Sequence, residues 1–576
     1  MLLLILVMLP FGTITTADMY PPYRPSAGSI LYVGGNQPGN YSKIQDAINN
    51  ASDGDTVFVY DDSSPYRETL WINASIALLG ENRTSTVISG YEDKAIITIN
   101  AGNVTVQGFT IQGAETNFSD SGVFTYAPHI TVLENIFKYA YMGIYAISNH
   151  SSFTKNEFTS LYRGMWLLYS HDSRITENTF GCNEAEDLTA GGADCVINNN
   201  TFTGKYGLKV WKNNHTMVSN NTFSNSCLID LYESYGNTIC HNTLEHGGFT
   251  VLRSNHNSVF DNTRDGVPIV YLDGEKDATI EHAAQVILVQ CRNITVRGIP
   301  FADLPCGIYL EGTKNSAITR NTFSNCAVGI SLAYNSWRNV ISQCRFDDCP
   351  RGITMYGYSV LNRILNNTIT NADEAAIIID DSFNTVSSNT ITNATLGICL
   401  TNINPWQGPT FAKYRKGNIV SFNTVQNAQY GIVVDARFTS VKGNRVTDCW
   451  LGIGITKLAP FALDPWNDVQ GNVIQKNDIE HNHLGLLLNL TIFNIVEKNN
   501  FIANDQQASF IGLGFYGQLL GTQWRRNYWG GITLPPEAIR GVLYIPKRYG
   551  YEIYYEKINW VEFDWLPAQR PYQILI

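Results

Sequence analysis

The residues of this chain best suited to chemistry are carboxylates and aromatics on a polar, repetitive background. Asp380 and Asp381 are adjacent, and Asp435 follows in a similar local setting near Arg437. If a repeat stacks these segments, Asp380 and Asp435 stand two strands apart, roughly 9–10 Å. Carboxylates at that separation suit an inverting glycosidase, where one is acid and the other activates a water held between them. Asp380, Asp381 and Asp435 are therefore the catalytic candidates. Asp380 and Asp381 are also candidates for a Ca2+ site, since carboxylate oxygens are its preferred ligands. The plainest reading is three aspartates on a solvated sheet face. Two long loops, "NPWQGPTFAKY" and "APFALDPWNDV", carry Trp406 and Trp466 and leave after the same strand, as walls of a cleft would. A second group, Trp166, Lys209, Trp211, Asp230 and Tyr232, mixes rings and charges. Sugars use such surfaces, with CH faces on aromatics and hydroxyls on polar groups. With Trp406, Arg437 and Trp466 these are the substrate-binding candidates. His241, His246, His256 and the His481/His483 pair are donors a copper site would need. They read as solvent-facing turn residues, and no metal site is assigned.

What must position these residues is a repeat. "ITRNTFSNCAVGISL" at Ile318–Leu332 returns as "VINNNTFTGKYGLKV", "ILNNTITNADEAAIII" and "VSSNTITNATLGICL". Its asparagine falls at Asn135, Asn156, Asn178, Asn200, Asn221, Asn242 and Asn262. It resumes at Asn321, Asn367, Asn389, Asn423, Asn444, Asn477 and Asn499, with Cys344 in one gap. The step is about 22 residues, a solenoid period. Each unit has a Gly-apolar start such as Gly329-Ile330, then alternation, then Asn/Ser turns, with no room for a helix. The fold class that follows is all-β: a parallel β-helix, right-handed as parallel crossovers are. About 16 coils give roughly 75 Å of stacked strands. The asparagines form a structural ladder, each amide bonding to the next coil. Cys326 and Cys349, each three residues before its glycine, should stack about 5 Å apart, as a disulfide or a thiol ladder.

Composition sets the limits. The formal charge is -11 and no basic run occurs, which argues against a nucleic-acid partner. Residues 1–17 are an apolar, signal-like segment ending in small residues, and 18–29 a linker. The segment implies export, with an uncleaved N-terminal anchor as the other reading; no other stretch is long and apolar enough to cross a bilayer. The β-helix spans 30–520, with an N-terminal cap at 41–60 and a non-repeating insert at 264–300. The cap reads as a short amphipathic helix, a turn at Asp53-Gly54 and a first strand, covering the open end of the stack. From 521 to 576 the chain is dense in aromatics and reads as a C-terminal cap, with a sugar-binding patch as its rival. The 11 cysteines include no CxxC pair, so a zinc cluster is not expected.

The "IQDAINNASDGDTVFVY" opening, the "NNTF…GI" coils and "VPIVYLDGEKDATIEHAAQVILVQCRNITVRGI" resemble NosD-type β-helix proteins. These belong to the broader group of carbohydrate-binding proteins and sugar hydrolases, and the chain is most similar to archaeal surface proteins of that kind. The resemblance covers about residues 30–570. It implies an exported life and sugar contact or, for NosD itself, a part in copper-site maturation. The polygalacturonase-like motif set is incomplete here. "LDPWND" resembles the epimerase Asp-Pro-His-Asp but lacks the His. The expectation is a secreted or cell-surface monomer that binds polysaccharide or glycoconjugate along one face. The alternatives are a hydrolase, lyase or epimerase on that face, a structural envelope protein, and a NosD-like copper-related protein.

Overall fold

In the computed structural model, residues 28–90, 95–113, 121–181, 184–225, 227–400, 415–456, 469–513, 521–531, 535–549 and 552–574 are described. The chain is a parallel β-solenoid of about twenty turns of roughly 22 residues, with almost no helix. The asparagine series begins only at Asn135, yet strands start at Ile30, so the turns outnumber the sixteen expected. Two compact units are present, Met1–Leu161 and Tyr162–Ile576.

In the first unit a coil consists of three short strands, for example Thr131–Leu133, Ile136–Lys138 and Met142–Ala146. The next coil pairs in register, Thr131 with Ser152 and Ile136 with Glu157. The helix Ile44–Asn50 packs Ile44, Ala47 and Ile48 inward against the first strands, Ile30–Val33, Thr56–Val59 and Leu70–Ile72. Its N-terminal amides, Ile44 and Gln45, donate to the Glu68 carboxylate at 2.9 and 3.0 Å. A carboxylate there satisfies two donors that a helix start leaves open.

The second unit repeats the plan. Ala317–Thr319, Thr322–Ser324 and Val328–Ala333 pair with Val340–Ser342, Arg345–Asp347 and Arg351–Met355. The residue after each start glycine points inward, and Ile330, Ile353, Ile398, Ile432 and Ile453 are all fully buried. Glycine is needed at these starts because the columns are close-packed. A Cβ on Gly431 would stand 2.4 Å from the Gly452 carbonyl oxygen. Phenylalanines stack through the core at coil spacing, as in Phe301–Phe323 (5.1 Å) and Phe323–Phe346 (4.6 Å).

The asparagine ladder is hydrogen-bonded from coil to coil, and where Ile299 and Cys344 take the asparagine's place each still donates its N–H to the next asparagine's Oδ1. Asn200 donates its backbone N–H (2.9 Å) and its side-chain amide (3.0 Å) to the Asn221 Oδ1, and its amide also reaches the Ile175 carbonyl at 2.8 Å. Each rung thus satisfies a buried backbone donor one coil away. Asp564 receives the last rung in the chain: the Asn527 N–H and amide donate to its Oδ2, and the Arg526 N–H to its Oδ1. A carboxylate serves at an end because only acceptors are needed there. The C-terminal segment is an antiparallel hairpin, Glu537–Tyr549 with Glu552–Asp564, and Trp529 stacks on Phe501 at 4.6 Å.

Residues 264–300 are less irregular than a non-repeating insert. Val267–Asp273, Gln285–Val289 and Thr295–Arg297 pair in register with their neighbours. The break includes a hairpin in which Thr263–Arg264 meets Val267–Pro268 antiparallel, and two sheets end beside it, at Gly248–Leu252 and Ser258–Phe260. Gly248–Leu252 is the last strand of its sheet, and side chains meet its edge. The buried Gln285 amide accepts from the Phe249 N–H and donates to its carbonyl, both at 2.8 Å, as a neighbouring strand would. Glu311 accepts the Arg253 N–H at 3.0 Å.

Cys326 and Cys349 are free, buried thiols in adjacent coils, and each Sγ donates to a carbonyl of its own coil, Cys326 to Ser324 and Cys349 to Asp347. No disulfide joins the two.

The ladder predicts a sharp asymmetry. Asn423→Ala leaves the Asn389 backbone N–H without its acceptor and should destabilise by about 2–4 kcal/mol. Asn427→Ala, at an exposed position of the strand Thr424–Val434, should stay within about 0.5 kcal/mol. Melting temperatures of the two variants check this.

Candidate functional site

The carboxylates read as an open strip are buried. Asp381 is 5% and Asp435 6% exposed, and the Asp380 side chain 7%. Inward residues of the same strands, such as Ile377, Ile379 and Ile398, belong to the core cluster. The alternating residues Tyr309, Ser331, Thr354, Ile378, Cys399 and Val433 lie outside that cluster yet are buried too. Alternation alone therefore misassigns this outer face as solvated.

Arg415 decides the geometry. It is 1% exposed and lies between the two aspartates, Nη1 at 2.7 Å from Asp380 Oδ1 and Nη2 at 3.2 Å from Asp435 Oδ2. Its Nε also donates to the Asp435 carbonyl at 2.7 Å. Cys399 faces the same clamp; burial, with Asp435 nearby, pushes its thiol up to about 12. The guanidinium thus occupies space that an inverting mechanism reserves for water. Arg437 is half-buried and joined to Lys416 through a backbone bridge.

Asp381 has a different task. Its oxygens accept the Tyr358 and Ser359 N–H groups at 2.8 and 2.9 Å. Ser359 in turn accepts the Ser336 N–H. Asp381 is thus a rung of a hydroxyl ladder, bonded much as Asp564 is. Burial raises its pKa to about 7, against the pull of the two amides. Trp406 and Trp466 lie outside the described residues.

The aromatic–charged group does come together, on the outer face of one sheet. Trp166 pairs in register with Thr189, which leads to Lys209, Asp230 and Thr250; Trp211 stands beside Tyr232 in the parallel row. Lys209 lies 3.4 Å from Asp230 and 3.9 Å from Glu186, and its Nζ sits 5.5 Å from the Tyr232 ring centre. Arg163 stands 4.9 Å over Trp166, and Lys212 5.1 Å over Trp211. Thr250 donates to Asp230 at 2.7 Å. These side chains are about a quarter exposed at Lys209 and Asp230, at 27% and 28%. Paired charges hold the rings in fixed positions within reach of solvent. Glu186 and Arg163 were missed because the columns were read only from the start glycine onward: Arg163 precedes Gly164 in its strand, and Glu186 precedes the strand Leu188–Ala193.

The histidines remain apart. His241 faces Asp261 (3.6 Å), His246 faces Asp265 (3.4 Å), and His483 faces Asp505 (2.9 Å). His481 borders a pocket of about 370 Å³ whose Arg445 and Glu480 pair at 3.3 Å. Among the described residues no three His, Cys, Asp or Glu side chains gather as a metal site would require. Burial raises thiols such as Cys195 and Cys344 to about 11, against the thiolate a metal needs.

The family model "Periplasmic copper-binding protein (NosD)" matches residues 48–246, 146–279 and 263–407, together more than half the chain. The chain belongs to the NosD family. The copper in that family's description does not fit the described donors of this NosD-family chain. No curated protein matches it. Similar solved structures include the catalytic domain of a GH87 alpha-1,3-glucanase, at 12% identity over 66% of this chain and 67% of that one, TM-score 0.31. A tailspike protein of E. coli bacteriophage HK620 is 12% identical over 63% and 77%, TM-score 0.33. The PL6 family alginate lyase AlyGC is 10% identical over 87% and 99%, TM-score 0.27. Likenesses this remote carry no argument about activity.

Two outcomes follow. Arg415→Met leaves two buried carboxylates without their cation and should cost about 3–5 kcal/mol, visible as a large fall in melting temperature. The Asp381 carboxyl holds its proton to higher pH when folded than its unfolded value of 3.8. Its contribution is therefore full below that value and lost as pH rises through about 7. Asp381→Asn should flatten that part of the decline in melting temperature between pH 4 and 8.

Proposed function

We propose that this NosD-family chain is an exported protein that binds polysaccharide on the face carrying Trp166, Lys209, Trp211, Asp230 and Tyr232. One observation carries the reading: aromatic rings and paired charges stand in register on a rigid sheet, each ring fixed by a cation. Such a surface offers apolar ring faces beside hydrogen-bonding groups that need no reorganisation when a sugar arrives. Export is supported by the apolar N-terminal segment and by the family's periplasmic description. No helix among the described residues is long and apolar enough to cross a membrane.

Binding without turnover is the form of this reading that the carboxylates support. Asp380 and Asp435 are engaged by Arg415, and Asp381 by two backbone amides, so each has a structural employment. The aspartate clamp is assigned to stability and the aromatic face to recognition.

A glycan array on the full chain identifies the polymer, and affinity electrophoresis then compares variants. Trp211→Ala and Tyr232→Ala should each weaken binding about tenfold, the scale of one lost stacking contact. Retention of wild-type affinity in both would refute the assignment.

A further inference from the structure

One edge of the second unit carries a line of cations that neither the fold nor the proposed sugar face requires. Lys276, Arg292, Lys314 and Trp337 occupy successive coils at one turn position, joined by parallel backbone bridges. Further along the same edge Lys416 and Arg437 are joined in the same way. Successive rungs lie about 4.8 Å apart. Lys276, Arg292 and Lys416 are exposed, and Lys314 is half-buried. Among the described residues none of Lys276, Arg292, Lys314 and Lys416 has a carboxylate within ion-pair distance, in a chain whose net charge is -11. Glu275 and Asp277 flank the first rung only, and Asp277 accepts from the Asn293 amide. Stacked like charges repel, so this arrangement is complementary to an anionic ligand that runs along it.

Rings accompany the charges. Trp337 has Arg338 at 4.7 Å and Lys314 at 5.7 Å from its ring centre. In the adjoining column Phe383 and Phe438 are 47% and 58% exposed, two coils apart with Gly417 between them. Both have left-handed backbones (φ 59 and 49), which bulky residues rarely adopt. Each is seated against a glycine of the next coil: a Cβ on Gly417 would stand 2.7 Å from the Phe383 ring and one on Gly471 2.6 Å from Phe438. Lys416 lies 5.8 Å from the Phe383 ring centre.

We propose that this edge binds an acidic polysaccharide, a uronate- or sulfate-bearing glycan laid along the coils. Its anions meet Lys276, Arg292, Lys314 and Lys416, and its sugar rings stack at Trp337, Phe383 and Phe438. An extended 1,4-linked uronan has a residue length close to one strand spacing, so its carboxylates can follow the rungs. It presents the same ring face every second residue, which matches rings placed two coils apart. A lipid surface fits less well, because the exposed rings are separated by glycine and cations and form no continuous apolar patch to insert. This site is separate from the Trp211–Tyr232 face and adds a ligand class to it.

The test is affinity electrophoresis of the full chain in gels containing polygalacturonate, alginate, sulfated dextran or neutral dextran. Parallel assays use phosphatidylserine vesicles and duplex DNA. Wild type should bind at least one acidic polymer. The triple variant Arg292→Gln, Lys314→Gln, Lys416→Gln should weaken that binding at least about tenfold with unchanged melting temperature. Phe383→Ala with Phe438→Ala should weaken it while leaving the charges in place. Trp211→Ala should leave it unchanged, which separates this site from the other face. Three results would overturn the proposal: no binding to any acidic glycan, full affinity in a folded triple variant, or binding to vesicles or DNA as tight as to the glycans.

Discussion

The structure depends on one interaction, the hydrogen bond from a backbone N–H and side-chain amide of one asparagine to the Oδ1 of the next. A parallel solenoid has buried turns whose donors no strand partner reaches, and a buried unpaired donor costs about as much as a single mutation often does. Asn200 to Asn221 shows the solution, and the same bond recurs coil after coil. Asparagine fits because one short side chain both accepts and donates. The ladder also fixes register. A slip of one residue would break every rung and turn the alternating strand faces inside out.

The acidic residues take their meaning from the ladders. Asp564, Asp273 and Asp381 each accept backbone N–H groups from the adjoining turn. At such positions a carboxylate supplies acceptors without bringing donors that need partners in turn. The Asp380–Arg415–Asp435 group is related but ionic. Two carboxylates on an outer strand face are buried, and one arginine makes that burial tolerable. The proposed recognition accordingly falls on surfaces where charge and aromatic groups remain partly exposed rather than on these aspartates.

The fold was legible because its period is written in asparagine and glycine, whose roles are local. The "NTF" triplets locate the rungs, and Gly329 or Gly431 marks the close column where a Cβ does not fit. The neighbourhood of Trp211 and Tyr232 was readable for the same reason, since register in a parallel stack follows from counting residues. Burial of the outer face at Asp380 and Asp435 was not readable. Alternation says which way a side chain points, not what lies over it. Arg415 escaped notice because the step from Asn389 to Asn423 is longer than the others and hides its rung from a 22-residue count. The stacked cations escaped as well: Lys276, Arg292 and Lys314 are scattered in sequence and form a line only after coiling.

A crystal structure of the chain with an oligosaccharide of the polymer it retains would test the central claim most directly. The account predicts sugar rings stacked at Trp211 and Tyr232, hydroxyls bonded to Lys209 and Asp230, and an Asp380–Arg415–Asp435 clamp unchanged from that described above. An oligosaccharide bound instead across Asp380 and Asp435, with Arg415 displaced and a glycosidic bond cleaved, would contradict it.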